Sequence, residues 1–316
     1  MSRLIVAFFL LMAGGSAPMA QQAAPPKPAQ PAAQKPADKQ PAPPKEAGSL
    51  KFAIIGDSGT GSSAQYAVAK QLIEARSRFP YEFVLMMGDN LYSGSGEKDY
   101  RKKFEEPYKP ILDAGIKFYA ALGNHDNSNE RMYKQFNMNG ERFYTFKPKP
   151  GVRIFALDSN YMDRTQIEWL EKELSASGSD WKVMFFHHPL YSSGETHGSD
   201  DKLREQLEPL FLKHGVDVVF AGHEHFYERL KPQKGIYYFI SGGAGKLRKG
   251  DISKTELTAK AYDTGYHFML IELAKNSVNF ETINQDGKVI DSGALPRFSD
   301  ADKKKMATST PTIGPR

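Results

Sequence analysis

Five short polar clusters in this chain offer oxygen or imidazole donors, and each follows an apolar run. They are Gly56-Asp57-Ser58-Gly59, Gly88-Asp89-Asn90-Leu91-Tyr92, Gly123-Asn124-His125-Asp126, His187-His188-Pro189 and Gly222-His223-Glu224-His225. Carboxylate, amide oxygen and imidazole suit zinc, iron or manganese; they do not suit copper(I) or an iron–sulfur cluster. A single Gly-Asp after a strand is ordinarily a turn, and one His-x-His by itself decides little. Five such clusters in one chain point to a shared metal site. An Asp can bridge two ions, and enough donors remain to flank both. A two-metal site acidifies bound water, orients a phosphoryl group and steadies the leaving oxygen, so hydroxide attacks phosphorus in line. No protein nucleophile is then needed, which fits a chain without cysteine and without a Gly-x-Ser-x-Gly elbow.

The segments between the clusters alternate in character. Short apolar runs at 51–55, 81–87, 117–121, 181–186 and 216–221 read as strands, each ending at one of the clusters. Helices are expected at 62–77, opened by a Ser62/Gln65 capping box, at 98–113, at 165–175, opened by Thr165/Glu168, and at 202–213. Paired strands are expected at 142–146 and 152–157, with further strands at 237–241 and 268–273. A hairpin of 277–283 and 288–292 is expected across Asp286-Gly287. Interleaved helices and strands imply an α/β domain, and the later hairpins imply a second sheet packed on the first. In such folds functional groups gather beyond the carboxyl ends of the strands, so the five clusters can converge.

The order Gly-Asp-x-Gly, Gly-Asp-x-x-Tyr, Gly-Asn-His-Asp, a His after a strand, then Gly-His-x-His resembles the calcineurin-like metallophosphoesterases. Tyr92 in the second motif is similar to the purple acid phosphatase branch, the tartrate-resistant type. The resemblance covers residues 50–250 and implies a four-layer α/β/β/α sandwich. It implies that Asp57, Tyr92 and His225 hold one metal, that Asn124, His187 and His223 hold the other, and that Asp89 bridges them. On this branch the first ion is Fe(III), with Tyr92 bound as phenolate, and the second is Fe(II), Zn or Mn. A free phenol ionises near pH 10, so a strongly Lewis-acidic cation is required to keep it ionised near neutrality.

Further residues surround that set. His125 is a candidate to bind the phosphate or protonate the leaving alkoxide, with Asp126 orienting it. His197, in the loop 192–200, is a candidate substrate contact, and Glu195 a weaker one. His188 competes with His187, whose place after the strand favours it as the ligand. His214 at a helix end and His267 at a strand start read as structural, and Glu224 as a spacer between two ligands. Ser241-Gly242-Gly243-Ala244-Gly245-Lys246 fails as a phosphate loop, because Leu247 stands where Ser or Thr is required. It reads as a Gly-rich turn packed under the metal site, and residues 227–229 read as loop. The aromatics of 133–144 could line a substrate mouth or fill core.

Charge and the chain ends bound the remaining possibilities. Of 42 Lys/Arg and 37 Asp/Glu, residues 1–48 hold five and two and residues 297–316 hold five and two. That leaves 32 basic and 33 acidic residues between, so the domain lacks the basic surface of a nucleic-acid binder. Residues 1–20 have the charged start, apolar run and small-residue end of a secretory signal peptide, too short to span a membrane comfortably. Residues 21–48, rich in Pro, Ala, Gln and Lys, read as a disordered linker before a domain over 49–296, and 297–316 as a disordered basic tail. The expectation is a periplasmic or secreted phosphatase that hydrolyses small phosphomonoesters, with an acidic optimum and no stable membrane insertion once the signal is removed. A phosphodiesterase or nucleotidase on the same scaffold, or a non-catalytic wall-associated phosphate-binding protein, are the competing readings.

Overall fold

A computed structural model describes residues 48–253 and 255–309. The expected signal peptide, the linker up to residue 47 and residues 310–316 lie outside the described residues. The strands in chain order are β1 (Leu50–Ile55), β2 (Phe83–Met86), β3 (Lys117–Ala120), β4 (Tyr144–Lys149), β5 (Val152–Ala156), β6 (Trp181–Phe186) and β7 (Val218–Ala221). They continue as β8 (Tyr227–Leu230), β9 (Tyr237–Ser241), β10 (Thr258–Tyr262), β11 (His267–Leu273), β12 (Ser277–Asn284) and β13 (Val289–Pro296). The helices are α1 (Ser63–Ala75), α2 (Glu97–Tyr100), α3 (Lys109–Asp113), α4 (Arg164–Ser175), α5 (Asp201–His214) and α6 (Asp300–Ser309).

Alternation along the strands explains the layering. Phe52 and Ile54 of β1 face one core and Ala53 and Ile55 face another, and all four are fully buried. A strand apolar on both faces must be covered on both. One sheet runs β13-β12-β11-β1-β2-β3 and the other β10-β8-β9-β7-β6-β5-β4. Between them, Phe52, Ile54 and Leu85 of the first sheet meet Val183, Phe185 and Phe220 of the second. Leu72 of α1 and Ile111 of α3 cover the outer face of the first sheet, and Leu170 of α4 and Leu207 of α5 cover that of the second. This is the expected four-layer α/β/β/α sandwich. The parallel strands β1, β2, β3 and β5, β6, β7, β9 end at one edge, which carries all five polar clusters.

Several local expectations change. The single helix over 98–113 is instead α2, a π-helical turn over Arg101–Glu105 and α3. Pro107 and Pro110 supply no backbone N–H there. The π turn buries Lys103, whose Nζ donates to the Tyr92 carbonyl at 2.5 Å and to Asp99 at 2.6 Å. Helix α4 is capped by Asp163, which accepts from Gln166 N at 2.9 Å, so Thr165 lies inside it. At α1 the Ser62 side chain caps Gln65 N, while the Gln65 side chain accepts from Gly61 N at 2.7 Å and leaves the box open. Residues 227–229 form strand β8, and β10 pairs beside it.

The expected disordered tail is corrected over 297–309. Arg297 donates to buried Asp217 at 3.0 Å, and Lys303 of α6 bonds the same carboxylate at 2.5 Å. A basic composition there serves a buried acid. No helix among the described residues is long and apolar enough to cross a membrane.

Candidate metal centre

Each donor is set by the turn that ends a strand. Asp57 after β1, Asp89 after β2 and His223 after β7 all adopt left-handed backbone, with φ of 54°, 51° and 68°. Such positions cost about 1–3 kcal/mol and gather at functional sites. Here the turns are cross-tied: Asp57 N donates to Gly88 O at 3.1 Å, and His223 N donates to Asp57 Oδ2 at 2.9 Å. Gly123 must be glycine, because a Cβ there would lie 2.2 Å from Asp89 Oδ1.

Seven side chains fall into two triangles joined by one carboxylate. In the first, Tyr92 Oη lies 3.2 Å from Asp57 Oδ1 and 3.3 Å from His225 Nε2, and those two atoms are 3.4 Å apart. In the second, Asn124 Oδ1 lies 2.9 Å from His187 Nε2 and 3.0 Å from His223 Nδ1, and the two nitrogens are 3.1 Å apart. Asp89 Oδ1 lies 3.5 Å from His187 Nε2, and Asp89 also groups with Asp57 and His225. Donors that bind one ion at about 2.0–2.3 Å sit roughly 3–3.5 Å from one another, which is the spacing seen.

Protonation supports the same reading. His187 places Nδ1 at 2.9 Å from the Met87 carbonyl, an acceptor only, so Nδ1 carries the hydrogen and Nε2 faces the triangle with a lone pair. Burial, with the neighbouring histidines, pushes His187 well below its ordinary pKa and His223 down to about 2. Burial and then Arg248 push His225 down to about 4. Burial, reinforced by Asp89, raises Asp57, and burial with Asp57 and Asp89 raises Tyr92. Lone pairs of neutral imidazoles, two buried carboxylates and an amide oxygen converge here, and the donor set fits two cations.

The remaining expected residues take varied places. His188 is engaged by Ser159, at 2.8 Å from Nδ1, and its ring stands 4.4 Å from that of His223. His125 is exposed; its backbone N donates to Asp89 at 2.9 Å and its ring lies 4.9 Å from the Tyr92 ring. Asp126 does not orient it. Its carboxylate instead accepts from Asn90 Nδ2 at 2.8 Å, Leu91 N at 2.9 Å and Gly123 N at 2.8 Å, clipping two donor loops together. His197 reaches the site, with its ring 4.3 Å from that of His223. Glu195 accepts from the Ser253 hydroxyl. His214 bonds Glu171 at 3.0 Å, and His267 is fully buried with neither ring nitrogen bonded to a side chain. Within 133–144, Phe136 and Met138 are fully buried in core.

Glu224 is more than a spacer. Fully buried, it accepts from Gly198 N at 2.7 Å and from the Ser192 hydroxyl at 3.2 Å, so it fixes the loop that carries His197. The Gly-rich turn does pack under the centre: a Cβ on Gly242 would lie 2.2 Å from Glu224 O and 2.7 Å from Asp57 Oδ2. Sequence reasoning missed Lys246 and Arg248, which this turn carries to the mouth. Lys246 Nζ lies 4.5 Å from the Tyr92 ring centre and Arg248 Nη2 lies 3.1 Å from His197 Nε2. The cluster of cations directly after the glycines was the available signal.

Comparison with known proteins bears on this arrangement. A family model described as calcineurin-like phosphoesterase matches residues 50–227. Tartrate-resistant acid phosphatase type 5 of Rattus norvegicus is 25% identical over 301 residues, covering 79% of this chain and 91% of the relative. Purple acid phosphatase 17 of Arabidopsis thaliana is 27% identical over 266 residues, covering 72% of this chain and 78% of the relative. Among solved structures, GAP50, the anchor in the inner membrane complex of Plasmodium, has a TM-score of 0.70 at 19% identity, covering 84% and 96% of the two chains. Purple acid phosphatase PPD1 of yellow lupin has 0.68 at 20%, covering 85% of this chain and 58% of that one. At these identities the two structures speak to the fold alone. The family match spans more than half of the 316 residues, and the chain therefore belongs to the calcineurin-like phosphoesterases, metal-dependent phosphoester hydrolases with purple and tartrate-resistant acid phosphatases among its relatives.

Proposed function

We propose that the protein is an exported acid phosphomonoesterase whose two metal ions are held by Asp57, Tyr92 and His225 on one side and by Asn124, His187 and His223 on the other, with Asp89 between them. The pair of donor triangles that meet at Asp89 carries this reading. When bound, the ions supply Lewis acidity: they acidify water and neutralise phosphoryl charge, a ferric ion doing so at lower pH than a divalent one.

The protein groups do the rest. Met87 O fixes the His187 tautomer, and the His223 amide holds the second oxygen of Asp57, so both present one atom to an ion. Tyr92 stands among these donors, and a phenol ionises only near pH 10 unless a strongly Lewis-acidic cation binds it, which supports Fe(III) as its ion, with Fe(II), Zn or Mn opposite. His125, exposed beside the Tyr92 ring, is placed to bind the phosphoryl group or protonate the leaving alkoxide. His197, its ring tilted against that of His223, is placed to contact substrate. The signal-like residues 1–20 support export.

The test is turnover of an aryl phosphate by the purified metal-loaded protein, with its visible spectrum. The reading expects hydrolysis below neutral pH and a tyrosinate charge-transfer band that Tyr92→Phe abolishes. A colourless, active dizinc protein would overturn the ferric assignment; metal-loaded protein that hydrolyses no phosphate ester would overturn the whole reading.

A further inference from the structure

Two cations stand at the mouth of the metal centre, and both leave the same clamped loop. After β9 the backbone is tied to the donor loops: Ala244 N donates to Gly56 O at 3.1 Å and Arg248 N donates to His225 O at 3.0 Å. A Cβ on Gly245 would lie 2.3 Å from Ser58 O. This path delivers Lys246 onto the face of Tyr92, with Nζ 4.5 Å from the ring centre. Among the described residues, no carboxylate lies within ion-pair distance of Lys246.

Arg248 is held in place but not saturated. Its Nη2 is 3.1 Å from His197 Nε2, and its Nη1 is 3.5 Å from Asp251 and 3.6 Å from Glu224. A charge-assisted bond is about 2.7–2.9 Å, so both carboxylates stand back. Glu224 Oε2 has no hydrogen-bond partner. A guanidinium carries five donors, and several remain available to an incoming oxyanion.

We propose that Lys246 and Arg248 are specificity-determining residues that favour the dianion of a phosphomonoester over the monoanion of a diester. The proposal rests on the phosphoesterase reading of the adjoining centre. Coulomb attraction scales with ligand charge, so two further cations beside the scissile group gain more from a dianion than from a monoanion. Partial exposure of both side chains lets salt weaken the preference.

The experiment uses Lys246→Met and Arg248→Met, which keep a stem and remove the charge, alone and together. Calorimetry compares binding of inorganic phosphate and of dimethyl phosphate to the metal-loaded proteins at pH 8. Kinetics compare kcat/KM for an aryl phosphate and its bis-aryl diester. Each substitution is expected to weaken phosphate binding about tenfold and to lower the monoester-to-diester ratio by a similar factor. Metal content is expected to stay at the wild-type level, and Lys304→Met, at an exposed position of α6, serves as the charge control. Equal losses for both esters, or unchanged phosphate binding, would overturn the proposal. A wild-type protein that turns over neither ester sinks the phosphatase reading alone, and the binding comparison still decides the role of the two cations.

Discussion

Replacing Asp126 by Ala separates a brace from a catalytic group. The Asp126 carboxylate accepts from the amides of Leu91 and Gly123 and from the Asn90 side chain at 2.8–2.9 Å. Leu91 is 1% exposed, so its amide finds no water without rearrangement. A buried donor left unsatisfied costs about 1–3 kcal/mol, and two amides are orphaned, giving about 4 kcal/mol. Burial, and then Glu130, raise the Asp126 pKa, so part of the loss is offset by removing an uncomfortable charge. For a domain of this size a net loss of about 3 kcal/mol corresponds to a fall in Tm of roughly 10 °C. Asp126→Asn keeps one acceptor and is expected to fall between. Calorimetric melting and metal content of the purified proteins give the answer. Both are expected to drop together, because the clip joins the loops of Asp89 and Asn124. A melting point near the wild-type value with lowered turnover would refute the brace and restore the role of orienting His125.

Other perturbations test other parts of the account. Burial pushes Glu130 up to about 7 from 4.5. The folded state therefore binds more protons than the unfolded state between those values, and stability falls as pH rises from 4.5 to 7. Glu130→Gln, which keeps the acceptor for Asn127 N, is expected to match wild type near pH 4.5 and to exceed it by up to about 3 kcal/mol at pH 8 in denaturant titrations. The opposite slope would contradict the burial argument. At the chain end, Arg297→Ala with Lys303→Met strips both cations from buried Asp217. Leaving that charge unpaired is expected to cost about 3–5 kcal/mol in urea unfolding, against nearly nothing if the segment were a free tail.

The layers and most of the donors were legible because both depend on local pattern. Strands apolar on both faces, such as 51–55 and 181–186, announce a buried sheet, and a Gly-polar turn after each announces where its edge lies. The triangles were reachable only through resemblance, since no local rule pairs Tyr92 with Asp57 across 35 residues. What escaped depends on partners distant in sequence. Asp126 looked like the companion of its neighbour His125, yet its donors come from 90, 91 and 123. Glu224 looked like filler between ligands because only the folded loop brings Gly198 and Ser192 to it. The basic stretch from 297 carried a disorder-like composition, and the buried acid that orders it lies 80 residues earlier. Strand β10 escaped because none of its residues is fully buried and their burial does not alternate along the strand.

Elemental analysis of the purified protein beside Asp89→Asn and His225→Ala tests the central claim most directly. A shared carboxylate between two donor triangles predicts about two ions per chain in the wild type, a loss of about one in His225→Ala, and a loss from both positions in Asp89→Asn. A wild-type content of one ion, or Asp89→Asn protein that retains two, would contradict the account.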